Sequence, residues 1–360
     1  MQPSSQASPS AHPNPIEAFE LSGQDRHWHG LARAPSRRPA FFPADAADPS
    51  GASPLGRSRT DPPCPGTLSL LLLHGTAGSS HCWQPLLERL DPEVGVLVPD
   101  LPGHGASRCH RHSRHGIEDM AADLAELLHG LGYNKVDVVA GHSAGAAIAL
   151  ALALGSPAGC HGASGDGSRR AGGAQAPSRT GARGLIVGTV LGIAPSLVPP
   201  PPLYTTMLGP LLAPLVGSTP SIAAAALLAR TTGLTDRLLA STGSTIAPAQ
   251  RERYRQLLKS RAHVRGAVDF MTATRLPDLL ARLSGLACPS HFLIADDDPW
   301  IPAGALRDIL SRHLPQAELE GCRGGHLLPE SRPELVANHI KQLLATSQAA
   351  NAATPRSADG

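Results

Sequence analysis

Short apolar runs alternate with segments of helical periodicity along most of the chain after residue 67. Leu68–Leu73 is a continuous apolar run, which is typical of a strand buried on both faces of a parallel sheet. Across Ile117–His129, apolar residues recur at helical spacing and acidic residues occupy the other side, which predicts an amphipathic helix. This alternation predicts an α/β protein with a mostly parallel central sheet flanked by helices.

The remaining predicted elements continue the alternation, with one long interruption. Further strands are expected at Gly95–Pro99, Val136–Ala140, Leu185–Val190, Ser290–Ala295 and about Ala317–Glu320. Further helices are expected at Ala144–Leu154, about Ala303–His313 and about Pro333–Leu344. Before Ser290 the sheet pattern stops, and roughly residues 195–276 are predicted to form an inserted, mostly helical cap.

The same pattern separates the predicted core from an N-terminal arm, an insertion and a C-terminal tail. Residues 67–194 and 277–345 are predicted to form the core. Residues 1–66 are rich in Pro, Ser, Ala and Arg without helical or strand periodicity, which predicts a disordered or loosely ordered arm. Residues 155–184 are of low complexity and are predicted to be a flexible insertion. Residues 346–360 are predicted to be a disordered tail.

A long segment without charge runs from Gly184 to Ala229, through the last predicted strand before the cap and into the predicted cap. A membrane span is not expected, because prolines at 195, 199–202, 210, 214 and 220 leave no Pro-free stretch near the ~20 apolar residues that a span requires. Two interpretations stay open. The segment is a buried interface between cap and core, or it is an apolar lid over a ligand or a peripheral contact with a membrane.

Composition excludes several classes of protein. Hydrophobic residues make up 41% of the 360 residues and charged residues 17%, which argues against a charge-driven disordered chain. The net charge of +2 gives no basic footprint for nucleic acid. The N-terminus lacks the basic and apolar regions of a secretory signal, so a reducing, cytoplasmic compartment is expected.

The sequence Gly141-His142-Ser143-Ala144-Gly145 is the strongest chemical motif. It follows a predicted strand and opens a predicted helix, which is the context that a G-x-S-x-G nucleophile elbow requires. The flanking glycines permit a strained turn that exposes the hydroxyl of Ser143. The simpler alternative is a chance Gly-Ser-Gly turn.

A serine hydroxyl needs a base, usually a histidine that a carboxylate orients. The expected order after an elbow serine is acid and then histidine, on loops after late strands. His326 follows the last predicted strand in a Gly-rich loop, and Asp298 follows Ser290–Ala295 with a D-x-x-[VI]-P spacing. Asp297 is the alternative acid, and a solvated, helix-capping loop is the alternative for all three adjacent aspartates.

An oxyanion hole is expected from two backbone N–H groups, those of Ala144 and of Thr76 in the loop after the first core strand. His74 and His104 are expected to be structural, and Trp83 is expected to pack under the Thr76 loop. No cofactor is predicted, since no P-loop or dinucleotide fingerprint is present.

Nitrogen and sulfur ligands for a metal occur at short spacing just beyond the second predicted core strand. These are Cys109, His110, His112 and His115. A solvated, Arg-interleaved loop is the favoured interpretation, so no metal is predicted.

The motifs HGTAG, DLPGHGAS, GHSAG, a post-strand Asp and GGHLLPE occur in this order over about residues 68–345, and together they resemble the α/β-hydrolase superfamily. More narrowly, HGTAGSSHCW, GHSAGAAIAL and the cap segment TGSTIAPAQRERYRQLLKSRAHVRGAVDFM resemble the magnesium-chelatase accessory proteins of bacteriochlorophyll biosynthesis. The chain departs from that pattern in its long arm, its 155–184 insertion and Ala295, where glycine is usual.

The resemblance implies a role near the insertion of magnesium into protoporphyrin, with a porphyrin as ligand and magnesium chelatase as partner. Two functions follow. One is a serine hydrolase for an ester or thioester of an apolar small molecule. The other is an accessory protein that binds a porphyrin without catalysis. Ser143 argues against epoxide hydrolases and dehalogenases, which use an Asp nucleophile.

Overall fold

A computed structural model describes residues 15–22, 26–33, 66–109, 116–155, 184–198 and 233–353. In these residues nine strands form one sheet, in the order β1-β2-β4-β3-β6-β7-β8-β9, with β5 paired to β2. The strands are β1 Glu17–Ser22, β2 Arg26–Arg33, β3 Gly66–Leu73, β4 Val96–Pro99, β5 Arg108–Cys109, β6 Tyr133–His142, β7 Ile186–Ile193, β8 Ser290–Ala295 and β9 Glu318–Cys322. The six strands from β4 to β9 in that order are parallel, and the pairings of β2 are antiparallel.

Helices cover both faces of the sheet. They are α1 Gln84–Leu87, α2 Ile117–Gly130, α3 Ala144–Leu154, α4 Leu234–Ser241, α5 Pro248–Lys259, α6 Arg261–Ala273, α7 Leu276–Leu280, α8 Ala303–His313, α9 Leu328–Ser331 and α10 Pro333–Ala353. Short 3-10 turns occur at Ser80–Trp83 and Leu283–Gly285. No helix of the described residues combines the length and the apolar character needed to cross a bilayer.

The apolar run of β3 is explained by burial on both faces. Successive side chains of a strand point to opposite faces of its sheet. Leu71 and Leu73 belong to one apolar cluster, which includes residues of α2 and α3. Leu70 and Leu72 belong to a second cluster, which includes residues of α1 and α10. The predicted α/β class with a mostly parallel sheet is therefore confirmed.

The prediction of an unstructured arm over residues 1–66 is wrong for β1 and β2. Trp28 and Ala32 of β2 are buried, and β2 pairs with β4 over Gly30–Arg33. The alternation is hard to detect in the sequence because glycine, histidine and arginine occupy much of β2. Pairing with an existing sheet edge supplies the stabilisation that the local sequence lacks.

The predicted tail, insertion and cap differ in how they compare with the structure. The tail prediction for 346–360 is wrong as far as residue 353, because α10 continues through a segment in which four of eight residues are alanine, the residue of highest helix propensity. The insertion predicted at 155–184 lies outside the described residues apart from its two ends. Of the segment predicted as the cap, residues 195–198 and 233–276 are described, and the latter contain α4, α5 and α6.

Candidate active site

Ser143 lies in the sharp turn between β6 and α3. Its φ of 54° and ψ of −118° form a conformation that residues with a side chain rarely adopt. A Cβ on Gly141 would lie 2.3 Å from the carbonyl oxygen of Gly145, and a Cβ on Gly145 would lie 2.3 Å from the carbonyl oxygen of Leu73. The two glycines therefore let α3 begin directly against β3 and β6. Strain of this kind is typical of functional sites.

Ser143, His326 and Asp298 form one hydrogen-bonded chain. The Oγ of Ser143 lies 2.9 Å from Nε2 of His326, and Nδ1 of His326 lies 2.7 Å from Oδ2 of Asp298. Both side chains of the His326–Asp298 pair are almost fully buried. With Nδ1–H donating to the carboxylate, Nε2 is left as an acceptor for the serine proton. This is the geometry of a nucleophile, a base and a group that orients the base.

The three adjacent aspartates have different neighbours. Oδ1 of Asp298 accepts from the backbone N–H groups of Trp300 and Ile301, at 2.8 and 3.1 Å, which fixes the carboxylate that faces His326. Oδ2 of Asp297 instead accepts from the N–H of Gly324, and Asp296 pairs with Arg307 at the surface. Of the two acids left open by the sequence, the structure brings only Asp298 to His326.

The loop after β3 lies directly against the serine. A Cβ on Gly75 would come within 2.9 Å of the Cβ of Ser143, and Thr76 and Ala144 both line the cavity beside the hydroxyl. Two backbone N–H groups near an attacked carbonyl are what an oxyanion hole requires. The roles of Thr76 and Ala144 in such a hole stay a prediction.

Buried histidines hold these loops in place. Nδ1–H of His74 donates to the carbonyl of Gly75 at 2.8 Å, while its Nε2 accepts from the N–H of Leu101 at 2.9 Å. Nε2–H of His142 donates to the carbonyl of His326 at 2.8 Å. His263 of α6 accepts from the N–H of Gly105 and donates to the carbonyl of Ala77. Each ring therefore links a site loop to a neighbouring element, as expected for the structural histidine His74.

The stability of the protein should depend on the protonation of His142. Burial, together with the neighbouring His326, lowers the pKa of His142 to about 3. In the unfolded chain this ring binds a proton below about pH 6.5, so the free energy of unfolding falls as pH drops from 6.5 towards 3. Between pH 7.5 and 5.5 the loss from this one ring is about 1 kcal/mol.

Urea unfolding of the wild type and of His142→Gln at the two pH values measures this loss. Because glutamine does not titrate, the stability difference between the two proteins should shrink by about 1 kcal/mol at the lower pH. Parallel stability curves for both proteins would show that His142 is not held neutral.

A cavity of about 710 Å³ opens over Ser143 and His326. Its described lining contains no Asp, Glu, Lys or Arg and is mostly apolar, with contributions from α4, α5, α6 and α7. The uncharged stretch from Gly184 to Ala229 overlaps the described residues at 184–198, where Ser196 reaches the cavity. This volume and lining are typical of a site for an apolar small molecule.

Several residues at the site have no counterpart among the predicted functional residues. Ser196, just after β7, places its Oγ 3.4 Å from the Oγ of Ser143, and Cys82 and Tyr254 line the cavity. Of these three residues, only Ser196 had a signal in the sequence. It follows β7, a predicted strand whose carboxyl end lies at the same edge of the sheet as Ser143. His110, His112 and His115, considered above as metal ligands, lie outside the described residues.

The chain belongs to the alpha/beta hydrolase family, whose sequence model matches residues 70–339. It is 33% identical over 261 residues to the magnesium-chelatase 30 kDa subunit of Rhodobacter capsulatus, which covers 72% of this chain and 81% of that protein. Among solved structures, epoxide hydrolase CorEH has a TM-score of 0.61 at 17% identity, covering 92% of this chain and 99% of that one. A hydrolase from Pseudomonas aeruginosa has a TM-score of 0.58 at 16% identity, covering 91% and 98%. Both structural similarities concern the fold alone.

Proposed function

We propose that the chain is a serine hydrolase in which Ser143 is the nucleophile, His326 the base and Asp298 the group that orients the base. The observation that carries this proposal is the continuous hydrogen-bonded chain of the three side chains, with distances of 2.9 and 2.7 Å, at a strained elbow. A protein that only binds a ligand does not need a buried serine, histidine and aspartate that are hydrogen-bonded in this order.

The chemistry follows from the positions of these groups. Ser143 Oγ attacks the carbonyl carbon of an ester or thioester as Nε2 of His326 takes its proton. The negative charge that develops on the carbonyl oxygen is stabilised by the N–H groups of Thr76 and Ala144. His326 then gives the proton to the leaving group, and water releases the acyl group from Ser143 by the same steps.

The substrate class follows from the cavity. Its described lining has no charged side chain to pair with an ionised substrate, so a largely apolar molecule is favoured. The similarity to the magnesium-chelatase 30 kDa subunit supports a place in bacteriochlorophyll biosynthesis, at or near magnesium insertion into protoporphyrin, with magnesium chelatase as a partner.

A second candidate is a porphyrin-binding accessory protein that works without catalysis. The wide, apolar cavity between cap helices and core favours it, because a flat tetrapyrrole buries mostly apolar surface. In this case Ser143 would contact the ligand without reacting.

Two assays on Ser143→Ala distinguish the candidates. Wild-type protein should hydrolyse p-nitrophenyl esters and be labelled by a fluorophosphonate, and the variant should do neither, because the probe reacts with an activated serine. Ser196→Ala is the matched control, since its hydroxyl lies in the same cavity and is not bonded to His326; it should still be labelled. A wild-type protein that never labels would contradict an assembled triad.

The biological role is tested in a photosynthetic bacterium that lacks the gene. Wild-type protein should restore pigment synthesis, and Ser143→Ala expressed to the same level should not. Full restoration by the variant would show that hydrolysis is dispensable and would favour the accessory function. No restoration by the wild type would place the protein outside this process.

A further inference from the structure

A buried cluster of polar side chains lies in the wall of the cavity, apart from the triad. His81, Cys82 and Glu330 each direct one nitrogen, sulfur or oxygen atom to within 4.8 Å of those of the other two. All three are buried, with relative exposures of 6%, 2% and 7%. Tyr254 of α5 joins the cluster, since its hydroxyl donates to Oε1 of Glu330 at 2.7 Å and lies 3.3 Å from Sγ of Cys82.

The cluster is not fully satisfied by its own hydrogen bonds. Oε2 of Glu330 is buried and has no hydrogen-bond partner among the described residues. A buried carboxyl oxygen without a partner is destabilising, because it loses its hydrogen bonds to water and gains none in return. Burial also raises the pKa of Glu330 to about 8 and that of the Cys82 thiol well above its usual value.

The imidazole of His81 lies beside the thiol of Cys82 and is held by a neighbouring hydroxyl. Its Nδ1 lies 2.8 Å from the hydroxyl of Ser79, and Nδ1 and Nε2 lie 4.0 and 3.9 Å from Sγ of Cys82. Metal-bound histidines characteristically use their second nitrogen in a hydrogen bond of this kind. In tetrahedral zinc, the usual Zn–N and Zn–S bond lengths place the nitrogen and the sulfur about 3.6 Å apart. To reach this geometry the two atoms must approach by a few tenths of an ångström and the ring must turn, because Nδ1 and Nε2 are almost equally far from Sγ.

We propose that His81, Cys82 and Glu330 form a binding site for a zinc-type divalent metal ion. A thiolate, a carboxylate and a neutral imidazole together carry two negative charges, so one divalent cation makes the buried site neutral. Thiolate and imidazole select zinc-like ions, whereas magnesium takes oxygen ligands. The site departs from the expectation of no metal because its ligands are far apart in sequence.

The metal would join the elements that hold the active site. His81 and Cys82 lie in the 3-10 turn that follows the Thr76 loop, and Glu330 lies in α9, four residues after His326. Tyr254 brings the cap helix α5 to the same point. One ion would therefore fix the Thr76 loop, the His326 loop and the cap relative to one another, as a structural site does.

Metal content and cobalt substitution test the proposal on the full chain. Protein treated with a chelator and then with Zn²⁺ should retain one ion per chain after gel filtration, measured by mass spectrometry of the metal. With Co²⁺ it should show the near-ultraviolet absorption of a thiolate–cobalt bond, and Cys82→Ser should lose this band. Cys322→Ser is the matched control, because Cys322 is also a buried free cysteine but lies outside the cluster.

A second, isosteric variant keeps the test decisive if Cys82→Ser does not fold. Glu330→Gln keeps the shape of the side chain and should weaken zinc binding by at least about 10-fold, with a far-ultraviolet dichroism spectrum like that of the wild type. Failure of the wild type to bind zinc, or an unchanged cobalt band in Cys82→Ser, would overturn the proposal and leave a protonated, hydrogen-bonded cluster.

Discussion

Replacement of Asp298 by asparagine should lower kcat for ester hydrolysis by about 10⁴-fold. Oδ2 of Asp298 accepts the Nδ1–H of His326 and so leaves Nε2 free to take the proton of Ser143. An amide in this position can present an N–H donor, which favours the opposite tautomer and places a proton on Nε2. Steady-state kinetics with a p-nitrophenyl ester measure the loss. The isosteric change should leave KM nearly unchanged, because Asp298 does not line the cavity.

Asp297→Asn is the matched control for this experiment. The two aspartates are adjacent, but Asp297 accepts from the N–H of Gly324 and makes no bond with His326. Its replacement should change kcat by less than about 10-fold. An equal loss in both variants would mean that the loop acts as a whole, and a loss only in Asp297→Asn would make that residue the acid.

Replacement of Gly145 by alanine should destabilise the protein by about 3 kcal/mol or more. The new Cβ would lie 2.3 Å from the carbonyl oxygen of Leu73 and 2.7 Å from that of His74. Both are backbone atoms at the end of β3, so no change of rotamer relieves the overlap. Urea unfolding followed by far-ultraviolet dichroism measures the difference, and failure to obtain folded protein is the extreme form of the same result.

Gly304→Ala provides the opposite expectation with the same chemical change. Gly304 lies in the exposed first turn of α8, and a Cβ there would meet no atom within 4 Å. Alanine should therefore leave the stability unchanged or raise it by up to about 1 kcal/mol, because it lowers the entropy of the unfolded chain. Equal effects at Gly145 and Gly304 would contradict the close contact between α3 and β3.

The elements of the core could be predicted because each has a local signature. Ser290–Ala295, Ala144–Leu154 and Ala303–His313 have the predicted bounds in the structure. β6 is longer than predicted. It extends from Tyr133 to His142, whereas the prediction covered only its most apolar part, Val136–Ala140. The polar residues Asn134 and Lys135 hid the start of the strand, although Lys135 pairs with Thr67 of β3 and with Ile186 of β7.

The candidate site was predictable in its residue types and in its order along the chain. Ser143 has a local context, since a strand, two glycines and a helix surround it. His326 and Asp298 had none beyond their place after late strands, and Asp297 stayed open until the neighbours of each carboxylate were known. The metal-ligand cluster had no sequence signal at all, because Glu330 follows Cys82 by almost two hundred and fifty positions.

Periodicity and local turn chemistry report which faces are buried. They were therefore enough to predict the α/β class and the strand–turn–helix that holds Ser143, and the absence of charge over residues 184–229 can be read directly from the chain. Three features became visible only in the folded chain: β1 and β2 extend the sheet, Asp298 and not Asp297 faces His326, and a histidine, a cysteine and a glutamate meet beside Tyr254. These outcomes depend on pairing and packing between residues distant in the chain, whose energies no local pattern contains.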